Sequence, residues 1–167
     1  MPFAYYKRLS PSRQAIYRRS DGITTVPLPA AQALQSLIPD LSAALTDEEP
    51  RAIERTCQKI ADGLLDQLGA PPVQVLVQEV RPSNTYDEVH GLYEPSDPPY
   101  RCRISLWMRT AQRQEVVAFR TFLRTLLHEL LHHLDYEIFE LQESFHTKGF
   151  YKRESSLLRQ LVPATQE

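Results

Sequence analysis

The residues best equipped for chemistry lie in one stretch, Thr125-Leu126-Leu127-His128-Glu129-Leu130-Leu131-His132-His133-Leu134-Asp135. On a helix, His128 and His132 stand about one turn apart on the same face, close enough for both imidazoles to reach a single metal ion. Glu129 sits beside them without being a ligand. Two neutral nitrogens can then hold zinc, while a free carboxylate takes a proton from water that the ion has acidified. That division of roles suits zinc-assisted hydrolysis of a peptide bond. His133, by contrast, reads as a satisfied core or boundary residue of a leucine-rich helix.

A catalytic zinc site takes three protein ligands and leaves a position for water, so the third must be sought after His132. Asp135 follows too closely on the same helix and suits a supporting or solvent-facing role. Glu143 falls within that helix or at its fraying end. His146 comes after it, near Gly149, which permits a turn or tight helix packing, and is the favoured third ligand; Glu154 is the alternative. A second donor to a developing oxyanion is also needed. Tyr151 and His90 are candidates, each with an equally plain reading as a packed or surface residue.

These side chains need elements to position them. Val116, Val117, Phe119, Phe122, Leu123, Leu126, Leu127, Leu130, Leu131 and Leu134 recur at three- and four-residue intervals, with no Pro or Gly between Glu115 and Phe145. The pattern predicts one long buried helix. Before it, Thr46-Asp47-Glu48-Glu49 looks like a capped helix start leading to Gly69-Ala70-Pro71-Pro72. Strands are expected over 73–80 and 100–108, with a weaker one over 89–93, and turns at 82–84 and 95–99. A last helix is expected from about His146 to Gln160. The fold class is α+β, with a small, mostly antiparallel sheet beside the motif helix and a C-terminal helix. The strand over 100–108 is expected to offer a free edge to an extended substrate, flanked by Trp107 and Arg103. Those two residues otherwise read as part of a polar outer face.

At 167 residues and 42% hydrophobic content the chain can bury one core. A formal charge of -2 gives no global case for a nucleic-acid or membrane partner. The first twenty residues are different, carrying Lys7, Arg8, Arg13, Arg18 and Arg19 with Tyr5, Tyr6 and Tyr17 and no acidic residue. Such a segment could meet DNA, although a solvated basic arm is the commoner explanation. Residues 1–45, punctuated by prolines, read as an extension with two short helical pieces near 12–19 and 30–37; the compact domain is expected over 46–162, and 163–167 as a tail. Without a secretion signal or an apolar span, the expectation is a soluble, cytoplasmic protein with no membrane partner. Cys57 and Cys102 read as free, buried thiols.

The run His128-Glu129-x-x-His132, followed after thirteen residues by His146-Thr147-Lys148-Gly149-Phe150, resembles the SprT-like metallopeptidases, the group that includes Spartan. About 110 residues take part in the resemblance, of which 128–150 are specific. It implies a zincin-like fold, zinc held by His128, His132 and His146, and Glu129 as general base. It also implies protein substrates, since Spartan-type members cleave proteins crosslinked to DNA. The chain departs from several bacterial relatives in lacking a cysteine zinc ribbon, and no separate DNA-binding module is visible. The rival from another class is a catalytically inactive, zinc-containing module that binds DNA or protein; retention of Glu129 speaks against it, because a structural site has no use for that residue.

Overall fold

The computed structural model describes residues 2–80, 91–96, 101–110 and 113–163. A short 3-10 turn, Ala4–Arg8, precedes α1 (Pro11–Gly22), α2 (Gln32–Gln35), α3 (Leu37–Thr46) and α4 (Pro50–Leu68). Three strands follow, β1 (Val73–Val80), β2 (Gly91–Glu94) and β3 (Cys102–Arg109), and then α5 (Phe119–Glu137) and α6 (Lys148–Leu161). The architecture is α+β with a small mixed sheet.

The strand order is β1-β3-β2. β3 runs parallel to β1, with Val75 opposite Ile104, and antiparallel to β2, with Tyr93 opposite Ile104. The expectation of a mostly antiparallel sheet is therefore corrected, because the chain passes over one strand position between β1 and β2 and leaves β3 between them. The expected free edge on β3 is corrected for the same reason. Arg103 pairs with Glu94 of β2 at 2.9 Å, and the Trp107 indole N–H donates to Gln78 of β1, so both side chains bridge neighbouring strands.

Alternation along β1 and β3 buries Val73, Val75, Val77, Ile104, Leu106 and Met108 on the face covered by helices. α4 does more than cover that face. Its Gln58 and Glu54 carboxamide and carboxylate oxygens accept the backbone N–H groups of Val75 and Val77, and Gln58 also donates to Val73 O. The outer edge of β1 is thus closed to another strand. The start of α4 lies later than expected. Thr46 ends α3, its hydroxyl donating to Ser42 O, and Pro50 opens α4 after Glu49.

The motif helix is shorter than expected at both ends. An antiparallel bridge between Arg109 and Val116, with Val117 N–H donating to Met108 O, holds residues 116–117 in extended form. At the other end Glu140 adopts φ 52° and Leu141 N–H returns to Asp135 O, so the chain leaves the helix although no Pro or Gly forces it. Residues 138–147 are a loop, and α6 starts at Lys148 with the Thr147 hydroxyl accepting Phe150 N–H.

The boundary drawn at residue 46 does not divide the chain. Val26, Leu28, Leu34, Ile38, Leu41 and Leu45 share one apolar cluster with Ile60 and Leu64 of α4, Leu127 and Leu131 of α5, and Leu157 and Leu161 of α6. Pro27 and Pro29 lie between α1 and α2, and Pro39 sits in the first turn of α3. Leu41 is completely buried, so Leu41→Ala is expected to cost about 2–5 kcal/mol in urea-induced unfolding. A loss under about 0.5 kcal/mol, the range of an exposed site, would contradict this placement.

Candidate metal centre

His128 and His132 project from α5 at helical spacing, and the loop before α6 brings His146 to meet them. The Nε2 atoms of His128 and His146 lie 3.2 Å apart, and those of His146 and His132 lie 3.1 Å apart. Two ligands at ordinary zinc–nitrogen distances and a tetrahedral angle are separated by roughly 3.3 Å. The three histidines lie close enough to hold one metal ion.

The proton positions also fit a cation. Ser144 donates its hydroxyl proton to Asp135 Oδ2 at 2.7 Å, so in its 2.7 Å bond with His132 Nδ1 the ring must be the donor. His132 Nε2 is then left with its lone pair facing the other two rings. On the far side of His128, Nδ1 faces Glu154 Oε1 at 3.5 Å. Burial is the main cause that lowers the pKa of His132, to about 3, and that of His146, with His128 adding to both. Three imidazoles gathered on one point, with the His132 Nε2 lone pair directed among them, form a donor set that could hold a metal ion.

Phe150 forms the floor of this group. It is fully buried, and its ring centroid is 4.9 Å from those of His128 and His132 and 5.1 Å from that of His146. One aromatic ring on the first turn of α6 therefore fixes the height of all three imidazoles.

Glu129 is 7% exposed at the wall between α5 and β2. Gly91 allows this approach, since a Cβ there would come within 3.1 Å of Glu129 Cγ and 2.9 Å of Thr125 Cγ2. Burial raises the Glu129 carboxyl to about 7, helped by the nearby Glu154, while His128 and a hydrogen bond from the backbone N–H of Tyr93 act in the opposite direction. A carboxyl poised near neutrality is suited to general acid–base work. The site opens into a cleft of about 550 Å³ whose walls include Leu92, Tyr93, Thr125, Tyr136 and Glu154.

The other candidates fall into place around this cluster. Asp135 supports Ser144 and is no ligand, and Glu154 backs His128 instead of joining the three nitrogens. Glu143 is turned outward to Arg13. Tyr151, 41% exposed on α6, has its ring centroid 6.3 Å from that of His128 and 5.9 Å from that of His146. His90 lies outside the described residues, and Trp107 and Arg103 are held within the sheet, away from the cleft wall. His133 is fully buried, bonded to the Tyr93 hydroxyl and to Pro71 O. Cys57 is buried and Cys102 partly so, both free. Sequence reasoning missed Ser144 and Tyr93; a serine two residues before a candidate ligand carries no periodic signal, and the role of Tyr93 depends on strand pairing.

The basic N-terminal segment is packed on the fold, although its five basic residues are exposed. Arg13 makes a two-pronged contact with Glu143 at 2.7 and 2.8 Å, Arg18 donates to the Tyr6 hydroxyl, and Arg19 donates to Phe139 O. None of the helices among the described residues is long and apolar enough to cross a membrane.

Comparison with known proteins finds no matching family model, curated protein or solved structure.

In the metal-free protein the raised Glu129 pKa has a thermodynamic signature. The folded state holds this proton up to about pH 7 and the unfolded chain only to about 4.5, so stability from this group is full below 4.5 and is lost as pH rises through 7. Metal-free Glu129→Gln is expected to exceed the wild type in unfolding free energy at pH 8 by on the order of 1–3 kcal/mol, the difference vanishing near pH 4. A difference independent of pH would contradict the raised pKa.

Proposed function

We propose that this chain is a zinc-dependent endopeptidase acting on protein substrates. One observation carries the reading: three imidazole nitrogens converge beside a buried, near-neutral carboxyl at the base of an open cleft. Bound zinc would supply Lewis acidity, lowering the pKa of water and polarising a substrate carbonyl. The chain's own residues supply the remainder. Glu129 accepts the proton of the attacking water and delivers it to the leaving amine. Tyr93 N–H keeps that carboxyl at the cleft wall while the proton is moved.

Substrate binding follows from the sheet. Among the described residues β2 is the outer strand on the cleft side, so an extended chain can lie along Gly91–Glu94. Leu92 and Tyr136, 44% and 37% exposed, offer apolar contact beside the histidines. Kinship with SprT-like, zincin-type enzymes belongs to the same proposal and rests on the spacing from His128 to Phe150. Protein bound to DNA is the substrate class that this kinship suggests. The engagement of Arg13, Arg18 and Arg19 within the fold weakens the N-terminal case for DNA contact.

The test is zinc stoichiometry of the wild type and Glu129→Gln, together with cleavage of casein with and without single-stranded DNA. One zinc in each protein is expected, with cleavage falling at least 100-fold in the variant. Stimulation by DNA would direct the substrate class towards DNA-bound proteins. Zinc in both with cleavage in neither would favour a non-catalytic binding module, and no zinc in either would contradict the metal centre itself.

A further inference from the structure

His146 lies on a loop, yet a metal ligand must be held to within a fraction of an ångström. The loop's own bonds to α5 cluster at its start and at Ser144: Ile138 and Phe139 N–H donate to Leu134 O, Leu141 N–H to Asp135 O, and Ser144 bridges Asp135 and His132. Most of its remaining anchors come from more than one hundred residues earlier in the chain. Arg19 donates to Phe139 O at 2.6 Å and Glu140 O at 3.4 Å, and Arg13 grips both carboxylate oxygens of Glu143. Tyr17 and Tyr5 pack their rings on Phe145 at 6.0 and 6.4 Å, with the Arg13 guanidinium 5.5 Å from the same ring. The Tyr5 hydroxyl donates to the backbone carbonyl of His146 itself at 3.1 Å.

The contact continues past the ligand. The Ser20 hydroxyl meets that of Thr147, 3.1 Å away and buried, and Asp21 Oδ1 accepts Gly149 N–H at 3.0 Å. Here the two backbones nearly touch: a Cβ on Gly149 would stand 2.5 Å from both Ser20 O and Asp21 O. Tyr17 is fully buried and its hydroxyl accepts Phe3 N–H, so the segment ahead of α1 is itself tied down.

We propose that residues 3–21 form a fixed brace whose function is to position His146, with the half-buried Tyr5 and the exposed Arg13 as its positioning residues. The inference rests on the metal-centre reading of His128, His132 and His146, and it assigns the basic N-terminal segment to metal affinity within the chain. Tyr5 and Arg13 are not among the residues that line the cleft. They act through the backbone of His146 and through Glu143 and Phe145.

The experiment is a zinc competition titration of the full-length chain against a chromogenic chelator, with zinc sulfate as the only added metal. Arg13→Glu combined with Tyr5→Phe is expected to raise the zinc dissociation constant about tenfold, while the unfolding temperature of the metal-free protein stays within a few degrees. Arg13→Glu alone should show part of that loss, and adding Glu143→Arg should recover it, because the ion pair is restored with its signs exchanged. In a His146→Ala background the same brace substitutions should leave the residual two-histidine affinity unchanged. An equal loss with and without His146 would overturn the proposal, showing that the segment acts on the fold and not on the ligand. Unchanged affinity in the double variant would overturn it as well. A wild type that binds no zinc would remove the site on which it rests, whereas tight zinc binding without casein cleavage would sink the peptidase reading alone and leave the brace standing.

Discussion

The side chain on which the site depends is Arg153, a charge with no exposed surface. Its guanidinium donates to Ser20 O and Ile23 O at 2.6 Å each, to the Ser20 hydroxyl, and to Asp135 Oδ1 at 3.0 Å, and it lies 5.5–5.6 Å from the rings of Phe139 and Phe150. One buried cation thereby joins the end of α1, the end of α5 and the first turns of α6. Leaving such a charge without its partner costs about 3–5 kcal/mol, so the arrangement tolerates no member being lost. What the ion pair secures is orientation. Asp135, held by Arg153, accepts from Ser144, and Ser144 in turn accepts from His132, which fixes which nitrogen of that ring faces the other histidines.

The sheet adds a second constraint, an asymmetry between its edges. β1 spends its outward N–H groups on Gln58 and Glu54 of α4, while β2 faces the cleft and gives the Tyr93 N–H to Glu129. The closed edge avoids unwanted pairing, and among the described residues β2 is the edge strand on the side of the three histidines. Gly91 makes this geometry possible, because any side chain there would push β2 away from Thr125 and Glu129.

Much of the site was legible in the sequence because helical periodicity is a local property. The spacing of His128, Glu129 and His132 places them on one stretch of α5 once that helix is recognised, and the position of His146 after it, near Gly149, is enough to nominate it. Phe150 was also visible as the aromatic four residues on, although its place beneath all three rings was not. The misreadings share one cause, which is that tertiary partners are invisible to a local pattern. Nothing near residue 140 signals that α5 must stop, since the carbonyls of Phe139 and Glu140 are taken by Arg19 from far away. Prolines and basic residues at the N-terminus look like an extension until Leu41 and Leu45 are found in the core and Arg13 on Glu143. Strand order likewise depends on which strands meet, so the alternation of residues 102–108 indicated a half-buried strand without indicating a central one.

The measurement that tests the central claim most directly is X-ray absorption at the zinc edge of the purified, zinc-loaded protein. The account predicts three imidazole nitrogens at about 2.0–2.1 Å and one further light-atom ligand, with one imidazole lost in His146→Ala. A sulfur ligand near 2.3 Å, or a shell with only two imidazoles in the wild type, would contradict it.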